Sequence, residues 1–402
     1  GNFIILFGAK LMNKVVLAYS GGLDTTCCIK WLQDKGFEVV CFSADLGSEF
    51  SPQDLRKRAI KGGVSKIYIK DLKEEFAKEY ILPALGASAI YEGKYLLSTA
   101  LGRPLIAKHL VGIAKCEKAG FVAHGCTAKG NDQVRLEVSI DMLNPKLKVI
   151  APLREWELTS REQEIKYAKE NKLPIRITKE KPYSIDKNIW GAALEGGSLE
   201  DLDKEPPGNS YYFFKPPREI PDKETYLEIG FQKGVPIKLN GEKFDLVDLI
   251  ERLNKVGAGC GVGRTDLIED RVVGIKSREI YEAPGAWILH TAHKELESLV
   301  LDRETLYFKE SVSLKYAQLI YQGLWFSSFK KSLDGFVQNT QNAVTGNIGL
   351  KLYKGNIIIA KRFSPNSLYK KELATYGEGD KFDRKLAEGF IKLWTAPYIN
   401  AK

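Results

Sequence analysis

The sequence predicts an α/β protein in which a doubly wound parallel sheet is followed by an α+β domain. From Lys14 onwards, short β-branched apolar runs alternate with stretches of helical apolar spacing, which is the pattern of parallel βαβ units. After Pro174 the pattern changes, because prolines interrupt the chain and alternating strands follow them. The first part is therefore expected to be Rossmann-like, and the second part to mix strands and helices.

The first domain is predicted to cover residues 12–175, and its strands are expected at 15–18, 39–44, 66–69, 121–123 and 149–151. The helices between and after these strands are predicted at 25–32, 52–61, 72–80, 103–118, 132–144 and 160–171. Gly36 follows the first helix, in the position where glycine commonly ends helices. Each strand is thus joined to the next by a segment long enough for a helical crossover.

The second domain is predicted to cover residues 176–366, and its strands are expected at 226–231, 235–239, 272–275, 311–314, 349–353 and 356–361. Its helices are predicted at 246–256, 292–301, 317–326 and 329–340. Residues 367–402 contribute few core positions, so we expect them to form an arm that reaches another subunit.

Length and composition narrow the classes of protein. A chain of 402 residues is too long for one ordinary core. No apolar run is long enough to span a bilayer, so we expect no membrane partner. Its six cysteines form no Cys-x-x-Cys pair, which favours reduced thiols and a cytoplasmic location. The chain begins at Gly1, and Met12 resembles a natural start, so residues 1–11 are interpreted as a tag or non-native extension.

The net charge of +9 is spread along the chain in short basic clusters with acids among them. Such clusters are typical of solvated helix faces. The excess is explained by a general attraction for anionic ligands such as nucleotides. We therefore expect no nucleic-acid partner.

Segment 20–26, Ser-Gly-Gly-Leu-Asp-Thr-Thr, lies between the first strand and the first helix. Paired glycines allow close approach to an anion, and the helix N-terminus offers free N–H groups, so the segment predicts a phosphate loop. Asp24 would repel phosphates unless Mg²⁺ lies between them or the carboxylate fixes the loop. A plain turn in which Asp24 or Thr25 caps the helix is the structural alternative.

A second polar segment, 124–135, reads His-Gly-Cys-Thr-Ala-Lys-Gly-Asn-Asp-Gln-Val-Arg and joins a strand to a helix. Asn131 and Arg135 are four residues apart and share a helix face, with Asp132 beside them. A guanidinium fork, an amide and a carboxylate could together hold an α-amino acid. A capped helix with surface charges explains the same residues. His290 and His293 have no third ligand in the sequence and are interpreted as structural.

Segment 18–26 resembles the pyrophosphate loop of the ATP pyrophosphatase superfamily, and more narrowly that of argininosuccinate synthase. Segment 124–135 is similar to the signature HGATGKGNDQVR of the same family, and segment 182–188 resembles its PYSMDENL stretch. The resemblance runs from about residue 14 to residue 393. It implies an ATP-dependent ligase that condenses citrulline and aspartate to argininosuccinate through citrullyl-AMP, in arginine biosynthesis, with release of AMP and pyrophosphate.

The resemblance also implies which residues bind each substrate, with Mg²⁺ entering alongside ATP rather than in a protein cage. ATP would contact Ala18, Tyr19, Ser20, Gly21, Gly22, Leu23, Asp24, Thr25, Thr26, Ala44 and Gly125. Aspartate would contact Thr127, Asn131 and Asp132. Citrulline would contact Tyr95, Thr99, Asn131, Arg135, Ser184, Glu269 and Tyr281.

The candidate catalytic residues are Asp24 and Asp132, and Asp132 is a candidate acceptor of the proton from the aspartate amine. The family forms homotetramers, partly through a C-terminal helix. Here the tail after Leu393 is short and contains Pro397, which predicts an altered or weaker arm.

The chain departs from the family pattern at four small positions, namely Ala100, Cys126, Ala128 and Ala193. Ala128 would strain its loop if that position needs a positive φ. Two other functions stay open on the sequence. Cys126 and the basic charge allow a tRNA-modifying enzyme of the same superfamily, and the alanine departures allow a catalytically silent nucleotide sensor.

Overall fold

The computed structural model describes residues 13–47, 51–158, 160–175, 183–207 and 210–399. The predicted tag or extension at 1–11 lies outside these ranges. Within the described part of the chain, no helix is both long and apolar enough to cross a membrane.

The first sheet confirms the predicted parallel, doubly wound arrangement. Its order is β3-β2-β1-β4-β5, formed by β1 (Asn13–Ala18), β2 (Phe37–Asp45), β3 (Lys66–Asp71), β4 (Phe121–His124) and β5 (Lys148–Ile150). The chain winds outwards from β1 in both directions, so β1 and β4 flank the switch point of the sheet. Open α/β sheets bind ligands beyond the carboxyl ends of strands at this point.

In the part of the chain that the structure describes, eight α-helices accompany this sheet. They are α1 (Leu23–Asp34), α2 (Pro52–Lys61), α3 (Lys73–Phe76), α4 (Leu82–Gly86), α5 (Ser98–Cys116), α6 (Asn131–Leu143), α7 (Pro152–Glu155) and α8 (Arg161–Glu170). The helix predicted at 72–80 is shorter than expected, because a π-helical turn at Ala77–Ile81 separates α3 from α4.

Helix α5 begins five residues earlier than the position predicted from its proline. Pro104 favours a helix start at its own position, but the hydroxyl of Tyr95 accepts hydrogen bonds from the backbone N–H groups of Thr99 and Ala100, at 3.1 and 3.2 Å. These bonds satisfy donors that a helix N-terminus leaves free, so the helix extends back to Ser98. Helix α5 packs on the first sheet and also on two strands of the second domain.

Among the described residues of the second part of the chain, nine strands follow. They are β6 (Ser184–Asn188), β7 (Gly191–Glu195), β8 (Thr225–Gln232), β9 (Val235–Leu239), β10 (Glu242–Lys243), β11 (Arg264–Asp270), β12 (Lys276–Glu282), β13 (Gly346–Tyr353) and β14 (Asn356–Phe363). They form two antiparallel sheets with the orders β11-β12-β7-β6 and β10-β9-β8-β13-β14.

Six α-helices occur among the described residues of this second part, and the last two lie in the expected arm. They are α9 (Leu246–Gly259), α10 (Pro284–Val300), α11 (Arg303–Tyr321), α12 (Ser328–Gln341), α13 (Lys371–Ala374) and α14 (Lys385–Ile399). Strands β6, β7, β10, β11 and β12 were not predicted.

Two predicted strands are wrong. Residues 272–275 form the turn between β11 and β12, where Gly274 has a φ of +86° that only glycine adopts readily. Residues 311–314 lie inside α11, and that helix ends at Tyr321, so the helix predicted at 317–326 coincides with it only at 317–321. The side chain of Asp302 accepts a hydrogen bond from the N–H of Thr305 at 3.0 Å, so α11 begins well before the predicted position.

Candidate functional site

A cavity of about 430 Å³ lies at the carboxyl ends of β1 and β4, where α5, α6 and the β6–β7–β12–β11 sheet meet. Most of the predicted site residues line it, namely Ala18, Tyr19, Ser20, Asp24, Thr25, Ala44, Thr99, Gly125, Thr127, Asn131, Asp132, Arg135, Ser184, Glu269 and Tyr281. Five predicted residues do not line it, namely Gly21, Gly22, Leu23, Thr26 and Tyr95. Residues distant in the sequence thus converge on one space.

The loop between β1 and α1 has the geometry of an anion site. Gly21 turns the chain with a φ of +79°. Gly22 precedes α1, and no described side chain caps that helix, so its first N–H groups lack a side-chain acceptor. The hydroxyls of Ser20 and Thr25 are 3.1 Å apart, and Thr26 donates to the carbonyl of Gly22 at 2.6 Å. Hydrogen bonds within the loop therefore fix its conformation, while backbone N–H groups at the start of α1 remain available to bind an anion.

Asp24 is hydrogen-bonded to Glu164, a partner on α8 that the sequence did not indicate. Burial and then the charge of Asp24 raise the pKa of Glu164 to about 8, so Glu164 is protonated at neutral pH and donates to Asp24. This contact supports the interpretation that Asp24 fixes the loop. Within the described ranges, no group of three or more potential metal ligands occurs.

Asn131, the first residue of α6, uses its whole amide within the protein. Its nitrogen donates to Glu269 at 3.2 Å and to the hydroxyl of Tyr321 at 2.8 Å, and its oxygen accepts from the N–H of Val272 at 2.8 Å. Asn131 therefore anchors the turn between β11 and β12 to the start of α6. Tyr321, at the end of α11, is a site residue that the sequence did not reveal.

Asp132 lies between two guanidinium groups. Its carboxylate accepts from Nη2 of Arg103 at 2.7 Å and from Nη1 of Arg135 at 3.0 Å. Burial alone would raise the pKa of Asp132, but the two positive charges outweigh it and lower the pKa to about 2. A carboxylate of that acidity is a weak proton acceptor, which argues against the predicted proton-transfer role of Asp132.

Arg135 keeps one donor without a protein partner. Its Nε donates to the carbonyl of Tyr321 at 2.8 Å and its guanidinium lies 4.6 Å from the centre of the Tyr321 ring. Nη2 is buried and has no hydrogen-bond partner among the described residues. A buried charged donor of this kind is satisfied by a ligand, and a carboxylate fits it best.

Glu269 is held as an acceptor by several donors. Besides Asn131, it accepts from the hydroxyl of Tyr321 at 2.7 Å and from the hydroxyl of Tyr281. Burial raises the pKa of Tyr281 well above its ordinary value, and electrostatic interactions with Tyr95 and Glu269 raise it further. The Tyr281 hydroxyl therefore stays protonated and remains a hydrogen-bond donor. The ring of Tyr95 stacks on that of Tyr281, with centroids 3.8 Å apart. Tyr95 thus lies behind the cavity wall rather than on its surface.

Several charged residues of the cavity were missed in the sequence. Arg103, Asp186, Glu195, Arg271 and Glu279 all line it. Arg103 was considered only as a helix start, and none of the strands in the sheet that carries the other four was predicted. Arg271 donates to Glu195 at 2.6 Å and to Glu279 at 2.7 Å, and no local sequence signal marks this pairing.

Each of the four small departures has a clear structural setting. Ala128 has no positive φ, so the expected loop strain is absent. Ala193 lines the cavity, whereas Ala100 is fully buried in α5. Burial, followed by the Asp132 charge, raises the pKa of Cys126 to about 12. That thiol is protonated at neutral pH, which makes it a weak nucleophile.

Comparison with known proteins gives the same family for both parts of the chain. Residues 14–174 match the family described as arginosuccinate synthase N-terminal HUP domain, and residues 183–399 match arginosuccinate synthase C-terminal domain. The chain is 53% identical to argininosuccinate synthase from Carboxydothermus hydrogenoformans over 96% of this chain and 97% of that protein. It is 54% identical to the enzyme of the same name from Caldanaerobacter subterraneus subsp. tengcongensis, over 95% of this chain and 93% of that protein.

One solved structure, described as a predicted subunit of tRNA methyltransferase from Methanocaldococcus jannaschii, is 15% identical to this chain. It covers 39% of this chain and 75% of its own length with a TM-score of 0.27, so this likeness carries no argument.

Proposed function

The chain belongs to the argininosuccinate synthase family, and we propose from this premise which of its residues hold each substrate. It is a ligase that condenses citrulline and aspartate to argininosuccinate through citrullyl-AMP, with release of AMP and pyrophosphate, in arginine biosynthesis. The observation that carries the placement is the convergence of the phosphate loop, the start of α6 and the β6–β7–β12–β11 sheet on one cavity.

The phosphates of ATP bind at segment 20–26, where the uncapped start of α1 faces the cavity. Ala44 and Gly125, at the ends of β2 and β4, take the adenosine side. Mg²⁺ would enter with the phosphates, since the described residues form no metal cage and Asp24 is the carboxylate of the loop. When bound, Mg²⁺ would neutralise charge on the leaving pyrophosphate.

Citrulline places its α-carboxylate on the unpartnered Nη2 of Arg135 and its α-ammonium on Glu269. Thr99 and Ser184 face the same cavity and are assigned to the rest of the molecule. Tyr95 supports this subsite indirectly, because it stacks on Tyr281 and caps α5.

Aspartate is assigned to Thr127, Asn131 and Asp132, at the turn before α6 and its first residues. Asp132 would hold the ammonium group, because its pKa of about 2 keeps it ionised at any physiological pH. Asn131 contributes mainly by fixing the turn of the β11–β12 hairpin.

The reaction then needs little covalent help from the protein. The ureido oxygen of citrulline attacks the α-phosphate, pyrophosphate leaves towards segment 20–26, and the aspartate amine displaces AMP. Held substrates and preorganised donors supply most of the acceleration in such a mechanism.

Gly125→Ala tests the placement of ATP. An added Cβ would lie 2.8 Å from Cγ2 of Thr25, whose hydroxyl contacts Ser20 in the phosphate loop. We expect this steric clash to weaken ATP binding by about 1.4 kcal/mol, which raises the KM for ATP by about 10-fold. The KM for citrulline should change little. Gly112→Ala is the matched control, because its Cβ meets nothing within 4 Å. Equal increases in both KM values would contradict the placement.

We also propose that the family's homotetramer forms here through the arm at residues 367–402. Helix α14 runs through Pro397 to Ile399, so the proline does not break it. Its apolar side chains are exposed and recur on one face, namely Leu386, Phe390, Leu393 and Trp394. This face fits the apolar surface of a second copy of the chain.

Deleting residues 367–402 should lower the oligomeric mass, because the exposed face of α14 would be lost. Light scattering coupled to size-exclusion chromatography measures this directly. Trp394→Glu should have the same effect, whereas Lys385→Glu on the same helix should leave the mass unchanged. An unaltered mass in the deletion would show that the arm does not assemble the protein.

A cytoplasmic location is part of the same proposal. All six cysteines are unpaired, which is typical of proteins in a reducing compartment.

A further inference from the structure

Asp186 is an acidic residue of the cavity to which the proposed function gives no role. It lies on β6 and binds the same nitrogen, Nη2 of Arg103, that Asp132 binds from α6. The Arg103 guanidinium therefore links two carboxylates, one on α6 and the other on β6. The side chain of Asp186 is 44% exposed, against 30% for Asp132, so it is reachable from the cavity.

The two carboxylates are unequally compensated. Asp132 has direct bonds to Arg103 and Arg135, whereas Asp186 has a direct bond only to Arg103. Desolvation in the cavity raises the pKa of Asp186. The positive charges of Arg103 and the more distant Arg135 lower this pKa, and the negative charge of Asp132 raises it. The resulting pKa of Asp186 lies above its ordinary value. The Cys126 thiol also lies near Asp186, and it is protonated at neutral pH.

The reaction requires a proton acceptor at this position. An α-ammonium group has no lone pair, so aspartate must lose a proton before it attacks citrullyl-AMP. On the proposed placement of aspartate, its ammonium group lies against Asp132 and so within reach of the carboxylate across Arg103. We propose that Asp186 accepts the proton from the α-ammonium of aspartate in the second half-reaction.

The step balances as follows. The ammonium N–H bond breaks and its proton binds a carboxylate oxygen of Asp186. The amine lone pair then forms the new C–N bond at the isourea carbon, and the C–O bond to AMP breaks with its electron pair on the phosphate oxygen. The protons that stay on the three nitrogens make the product a guanidinium. The proton on Asp186 passes to solvent after AMP departs.

Other carboxylates of the cavity fit this role less well. Glu269 accepts hydrogen bonds from three side chains. Glu279 already accepts hydrogen bonds from Arg271 at 2.7 Å and from the hydroxyl of Ser277 at 3.0 Å. Glu195 is the serious rival, since its side chain is 46% exposed, but it binds Arg271 and has no contact with Arg103 or Asp132.

The proposal rests on the proposed function and predicts a defect in one half-reaction only. Asp186→Asn should release pyrophosphate from ATP with citrulline alone at a rate within about two-fold of the parent protein. Argininosuccinate formation at pH 7 should slow by about 100-fold, as expected for loss of a general base. The parent rate should fall as pH drops through the pKa of Asp186, and the Asn variant should lack this acid limb.

Comparison variants separate this role from a structural one. Asp186→Glu should restore the acid limb. Asp266→Asn removes an arginine-bound carboxylate outside the cavity and should change nothing. The proposal is overturned if Asp186→Asn slows both half-reactions equally, if the slowed variant keeps the acid limb, or if Glu195→Gln alone produces the selective defect. A parent protein without citrulline-dependent pyrophosphate release would instead refute the underlying reaction.

Discussion

Arg135→Lys should lower kcat/KM for citrulline by about 10²- to 10³-fold and leave the KM for ATP within about two-fold. Lysine keeps the charge but loses the planar fork, so it cannot bind Tyr321, Asp132 and a substrate carboxylate together. Charge-assisted hydrogen bonds contribute about 1.5–3 kcal/mol each, and the variant loses more than one of them. Steady-state kinetics with each substrate varied in turn measures the effect.

Arg252→Lys is the matched control for this prediction. Arg252 also lies over an aromatic ring, with 4.2 Å between its guanidinium and the centre of Phe244, but it is exposed on α9 and outside the cavity. Its replacement should leave every kinetic parameter unchanged. If Arg135→Lys raised the KM for ATP as much as that for citrulline, the assignment of Nη2 to the citrulline carboxylate would be wrong.

Lys309→Met should destabilise the protein by about 3–5 kcal/mol, because it leaves a buried carboxylate uncompensated. Nζ of Lys309 on α11 lies 3.0 Å from Glu297 on α10, and both side chains are 3% exposed. Glu297 also accepts from Gln341 at 2.9 Å and from the hydroxyl of Ser88 at 3.3 Å. Because Ser88 follows α4, this cluster connects the two parts of the chain. Urea unfolding measures the change as a lower midpoint.

Two further variants test how much of the stability change comes from this ion pair. Lys315→Met, at an exposed lysine on the same helix, should shift stability by less than about 0.5 kcal/mol. The double variant Lys309→Met with Glu297→Met should recover part of the loss, since no buried charge remains. A single Lys309→Met variant as stable as the parent would mean that water reaches Glu297.

His293 belongs to the same cluster, and its setting explains the His-x-x-His pair seen in the sequence. Its Nε2 lies 2.7 Å from the amide oxygen of Gln341, and its Nδ1 lies 3.7 Å from Glu297. Burial lowers the pKa of His293 and takes that of His290 to about 3, so both rings are neutral. Their environment within α10 is that of core residues.

The parallel sheet could be predicted because its strands are continuous apolar runs. Residues Val15, Val16 and Leu17 are fully buried, and such runs carry their own signal. Strand β6 carries no such run, because Ile185 is its only apolar residue, and the hairpin β6–β7 is held by contacts with α5 and β12. The start of α5 was misplaced for a related reason, since the hydroxyl of Tyr95 replaces a local capping residue.

The cavity residues divide in the same way, into those with a local sequence signal and those without one. Loop residues such as Ser20 and Asp24 were found because glycines and hydroxyls stand together in the chain. Arg103, Asp186 and Arg271 were missed because their partners lie on other elements, 29 to 83 residues away for Arg103. Long-range ion pairs depend on tertiary contacts, and a single sequence contains no pattern that marks them.

Pyrophosphate release from ATP and Mg²⁺, with citrulline and aspartate supplied singly and together, tests the central claim most directly. The assigned cavity predicts release that requires citrulline, with full turnover to AMP and argininosuccinate once aspartate is added. Measurable ATP binding without pyrophosphate release under any combination would contradict it.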